Sequence, residues 1–119
     1  MGLVAQLLVG FVAVLHLYIL VLEMFLWTRP KGRKVFGLTE EFAEQTKVLA
    51  ANQGLYNGFL AAGLSWALWQ GDNGVATAIF FLSCVVVAGV YGGITAKPKI
   101  ILIQAMPALL ALVAVGVGV

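Results

Sequence analysis

Charge is what this sequence has least of. Only 10% of its 119 residues are Asp, Glu, Lys or Arg, where soluble domains carry roughly 25%. Hydrophobic residues make up 62%, more apolar surface than a soluble core of this size has room for and the amount a bilayer accommodates. Histidine and cysteine occur once each, as His16 and Cys84. One cysteine excludes an internal disulfide, and one His with one Cys leaves too few donors for a tetrahedral zinc site within the chain. Cys84 sits in an apolar run and reads as a small buried hydrophobe. No basic patch interleaved with aromatics is present, so nucleic acid is not an expected partner. Neither a glycine-rich phosphate loop nor a nucleophile elbow occurs. No metal and no cofactor is expected.

Long apolar runs, by contrast, are plentiful. A bilayer core about 30 Å thick takes roughly 20 helical residues, and four segments are long enough: residues 3–27, 48–69, 74–96 and 100–119. The first begins "MGLVAQLLVG", with no Lys or Arg, and is too long for the apolar part of a signal peptide; it reads as a retained helix. The pattern predicts an all-α, polytopic membrane protein, a four-transmembrane-helix bundle forming one domain over residues 1–119.

The basic residues orient it. Arg29, Lys31, Arg33, Lys34 and Lys47 lie in the loop 28–47, and Lys97 and Lys99 lie in the loop 96–99. The intervening loop, "QGDNG", and both termini have none. The positive-inside rule places loops 28–47 and 96–99 in the cytoplasm and both termini outside. Trp27, Trp66 and Trp69 fall near span ends, as interfacial anchors do. Within the first loop, "TRPKGRKVFG" reads as a turn-rich basic stretch lying against anionic headgroups. Thr39 then reads as an N-cap followed by Glu40 and Glu41 at the positive end of a helix dipole, so the second helix is expected to start near Glu40.

Polar residues inside the spans are few and fall at similar depths. Counted at about 1.5 Å per residue from the cytoplasmic boundary, Glu23 of the first span, Asn52 and Gln53 of the second, Tyr91 of the third and Gln104 of the fourth share one layer. His16 lies seven residues before Glu23, close to the same helical azimuth. Asn52, Gln53, Tyr56 and Asn57 form a polar arc on the second span, with Gly54, Gly58 and Ala62 nearly opposite. A carboxylate in hydrocarbon is costly and faces a bundle interior or a water-filled cavity. No Lys or Arg lies in a span at Glu23's depth, so its carboxyl is either protonated at rest or held by amides. Glu23 and His16 are therefore the expected acid–base pair, and Asn52, Gln53, Tyr56, Asn57, Tyr91 and Gln104 the expected ligand-binding groups. The bland reading of the same amides is interhelical glue. Small residues, including Gly89 and Gly93, permit close helix contact within the chain or in a homo-oligomer.

"EMFLWTRPKGRKVFGL" followed by "KVLAANQGLYNGFLAAGL" resembles the bacterial family of small four-helix membrane proteins known as domain of unknown function 1304. The resemblance covers nearly the whole chain and is strongest at Glu23, Phe25, Trp27, Phe36, Asn52, Gln53, Gly54, Tyr56, Asn57 and Gly58. It implies a four-helix inner-membrane protein and carries over no catalytic residue. Three functions stay open from the residues: a membrane protein that binds or transforms a small lipophilic molecule through Glu23, a proton-coupled exporter similar to the small multidrug resistance transporters, and a structural or accessory subunit. Membrane lipid is the expected partner in all three.

Overall fold

A computed structural model describes all residues 1–119. It is all-helical, with no strands. Helix α1 spans Leu3–Met24, α2 Pro30–Phe36, α3 Glu40–Trp69, α4 Val75–Thr95 and α5 Met106–Val117. A short 3₁₀ turn, Gly71–Gly74, precedes α4, and a π-helical turn, Ile101–Ala105, leads into α5. Two helices are long and apolar enough to cross a membrane, Leu3–Met24 and Gly71–Thr95, and Ile101–Val117 is a shorter apolar helix. The 30 residues of α3 exceed the length of a span, but Asn52, Gln53 and Asn57 dilute its apolar character.

The chain divides into two compact units, Met1–Val14 with Leu60–Val119, and Leu15–Phe59. In the first, the interior is built largely from small residues: Ala5, Ala67, Ala78, Ala108 and Ala111 are fully buried beside Val9, Val12, Leu64, Leu82 and Val85. The large side chains point outward. Leu7, Phe11, Phe80, Val87, Leu102 and Leu110 are all more than half exposed. Small residues inside and large ones outside invert the soluble pattern and match helices that pack closely in lipid.

Close approach is set by glycine. A Cβ at Gly89 would stand 2.6 Å from the Ala105 backbone nitrogen, and Gly93 is pressed against Ile101. This pair serves intramolecular packing, which leaves no room there for a second copy. The π turn has its cause in Pro107. Proline has no N–H and its ring crowds the carbonyl four residues back; the widened turn bonds the Met106 N–H to the Ile101 carbonyl instead. The first turn of α1 is tied to the end of α5, where the Val4 N–H donates to the Val119 carbonyl at 3.0 Å.

In the second unit the basic stretch is a helix, which corrects the turn-rich expectation. Arg29 is extended (φ −85°, ψ 159°), as a residue before proline must be, and Pro30 starts the helix. Gly37 closes it in the left-handed conformation at φ 67°. Seven residues are too few to hold a helix in isolation. Tertiary contact supplies the remainder: Gly32 lies against the Leu26 carbonyl, and the Phe36 ring meets Trp27 at a centroid distance of 4.9 Å. Thr39 caps α3 as its sequence predicts, its hydroxyl accepting from the Phe42 N–H at 3.1 Å. Helix α1 stops at Met24, three residues short of the expected span end, because the chain turns there to bring Trp27 onto α3. The Trp27 indole N–H donates to Thr46 Oγ1 at 3.0 Å, and that hydroxyl donates to the Phe42 carbonyl at 2.8 Å.

Candidate functional site

The second unit holds the one carboxylate of α1. Glu23 is half-buried, and its Oε1 accepts from Asn57 Nδ2 at 2.6 Å across to α3. Glycine makes this possible. A Cβ at Gly54 would lie 2.6 Å from Met24 Cγ and 3.2 Å from both Glu23 Cβ and the Leu20 carbonyl; one at Gly58 would lie 2.7 Å from Leu20 Cδ1. The glycine face of α3 therefore rests on α1 itself, and Asn57, three residues after Gly54, is carried to the carboxyl by that contact. The two faces expected to be opposed meet at Glu23.

Beside the pair lies a hollow of about 340 Å³, lined by Glu23, Trp27, Thr28, Lys47 and Asn52 with apolar neighbours. Its size is at the lower end of small-molecule pockets, roughly 300–1,000 Å³. Glu23 Oε2 has no hydrogen bond within the chain, so one carboxyl oxygen is held and the other is available. The Lys47 ammonium is paired with Glu44.

Of the residues singled out by sequence, Glu23 and Asn57 are joined directly, and Asn52 shares the hollow with Glu23. The Asn52 amide also donates to the Val48 carbonyl of its own helix at 2.9 Å. Gln53 and Tyr56 are exposed on α3. His16 is completely buried, two turns before Glu23 on α1. Tyr91 and Gln104 belong to the other unit. Tyr91 is exposed at the edge of an apolar groove along α4 that it shares with Phe80, Cys84 and Val87, and Gln104 is half-buried in the π turn. Cys84, expected as a small buried hydrophobe, is half-buried.

The family model described as "Protein of unknown function (DUF1304)" matches residues 10–116. The chain belongs to the DUF1304 family. It is 34% identical over 104 residues to the uncharacterized protein YpaA of Lactococcus lactis subsp. lactis (strain IL1403), which spans 86% of this chain and 87% of that protein. No solved structure matches it.

For this DUF1304 member, sequence reasoning missed Lys47 and Thr28. Lys47 counts by sequence as one more loop charge. It lines the hollow because α3 starts well before the apolar run, which puts Lys47 one turn before Ala51 on a continuous helix. Lys47 borders the same hollow as Glu23 while its ammonium is paired with Glu44. The signal was available: Lys47 and Ala51, and Val48 and Asn52, are i,i+4 pairs on the helix that Thr39 caps and Glu40 begins.

Proposed function

We propose that this chain is a four-span bacterial inner-membrane protein, a single transmembrane domain with loops 28–47 and 96–99 in the cytoplasm and both termini outside, and that it binds a small lipophilic molecule beside Glu23. The outward-facing large aliphatic side chains support the bilayer setting. In that setting α3 and the shorter apolar helix Ile101–Val117 complete the four spans.

The observation that carries the binding reading is the half-satisfied carboxyl. Asn57 occupies Oε1, Oε2 has no partner, and the residue borders a hollow with Asn52 and Lys47. A carboxyl kept in such a place does more than tie two helices. The ligand class that fits is an amphiphile with a hydroxyl or carbonyl. Its polar group would meet Glu23 Oε2, the Asn52 amide or the Lys47 ammonium, and its apolar part would lie along the surface of α1 and α3. If the ligand is transformed, Glu23 is the acid or base, and buried His16 on the same helix stripe is the second titratable group.

Carboxyl infrared difference spectra of the protein in lipid nanodiscs test this, with decanol and decanone as probes. The expected result is a carboxyl band that is lost in Glu23→Gln and moves when either probe is added. A Glu23 band indifferent to both probes would overturn the binding reading.

A further inference from the structure

The outer face of α3 carries a second pattern, which shares only Asn52 with the Glu23 hollow. Phe42, Gln45, Leu49, Asn52, Tyr56 and Phe59 follow one another at spacings of three and four residues. That alternation is the a/d repeat of a left-handed helix pair. All six are exposed; Leu49 is 65%, Tyr56 54% and Phe59 57% open. The stripe runs over nearly five turns, roughly 25 Å of helix axis. No other helix of the unit covers it, because the opposite side of α3, at Gly54 and Gly58, is the side that rests on α1.

Its chemistry does not suit lipid. Asn52 Oδ1, the whole Gln53 carboxamide flanking the stripe, and the Tyr56 hydroxyl have no hydrogen-bond partner in the chain. In hydrocarbon such groups are satisfied by another helix or cost free energy. Carboxamides and phenols each both donate and accept. A row of them is therefore complementary to a copy of itself, and an isologous two-fold contact satisfies both rows at once.

We infer that the Phe42–Phe59 face of α3 is a parallel homodimer seam, in which Asn52 and Tyr56 of one copy meet Asn52 and Tyr56 of the other. Parallel pairing rests on the proposed membrane orientation, since copies inserted in one direction can only meet side by side. Large apolar residues, Leu49 and Phe59, supply the packing above and below the polar pair. Asn52 fixes the register, as a polar residue within an apolar seam does. The glycine faces that would otherwise serve a dimer are already filled within the chain.

Single-cysteine variants in membranes test the seam. In a Cys84→Ala background, Leu49→Cys and Phe59→Cys are oxidised with copper–phenanthroline beside Val87→Cys, an exposed position of α4. Neither seam position lines the Glu23 hollow, so failure here is separate from failure of the binding reading. The expected result is disulfide-linked dimer severalfold above Val87→Cys at both positions, with mass twice that of the chain. Dimer no more abundant than at Val87→Cys overturns the inference, and so does an adduct with a different protein. Copies pairing antiparallel would link Leu49→Cys to Phe59→Cys in a mixed sample while each alone stayed monomeric, which overturns the parallel seam.

Discussion

Asn57 and Glu23 are 34 positions apart in sequence, and their side chains meet at 2.6 Å between α3 and α1. The bond forms where Gly54 lets the two helices approach, so packing and polar chemistry are coupled at one point. Removing either the space or the amide disturbs the same crossing in different ways.

Asn57→Ala leaves the Glu23 carboxyl half-buried with no partner in the chain. The expected loss of stability is about 1–3 kcal/mol. Glu23→Gln keeps a carbonyl oxygen able to accept from Asn57 and is expected to cost less. Denaturant unfolding in detergent micelles, followed by tryptophan fluorescence, ranks the two. The reverse order would mean that Asn57 does not hold Glu23.

Glycine substitutions on α3 should differ in a defined order. At Gly54 an added methyl meets the Leu20 carbonyl and Glu23 Cβ at 3.2 Å as well as Met24, whereas at Gly58 it meets only the flexible tip of Leu20. Gly54→Val is expected to destabilise by about 1–3 kcal/mol through overpacking, and Gly58→Ala by clearly less. Melting temperatures in micelles check this; equal shifts would contradict the close crossing at Gly54.

Gly89→Ala should be costlier than Gly92→Ala. The Gly89 methyl would press on the Ala105 backbone nitrogen at 2.6 Å, where nothing can rotate aside; that of Gly92 meets the Ile100 side chain at 3.2 Å. Thermal unfolding of the two variants reads the difference, and a stable Gly89→Ala protein would argue against the tight contact between α4 and the π turn.

Thr46→Val removes the hydroxyl that accepts from the Trp27 indole and donates to the Phe42 carbonyl. About 1 kcal/mol of stability should go with it, together with faster hydrogen exchange over α2, which Trp27 holds through Phe36. Unchanged exchange there would mean that α2 is held by other contacts.

An all-helical chain, the positions of its long apolar segments and the Thr39 cap are legible in the amino-acid order alone, because they follow from local composition and from hydrogen bonds between near neighbours. Glu23, Asn52 and Asn57 were also legible as polar residues out of place in apolar helices. Which of them meet was not. Helical phase sets Asn57 at the edge of an arc and Gly54 nearly opposite the rest of it, but whether α1 lies against the amides or against the glycines depends on how closely two backbones can approach. The tertiary structure chose the glycines. That choice joined Asn57 to Glu23, left Gln53 and Tyr56 outward, and brought Lys47 to the rim of the hollow that Glu23 borders. Helix α2 was likewise hidden, since seven residues with four basic or glycine positions have weak helical preference on their own. Contact with Leu26 and Trp27, residues outside that segment, decides its conformation.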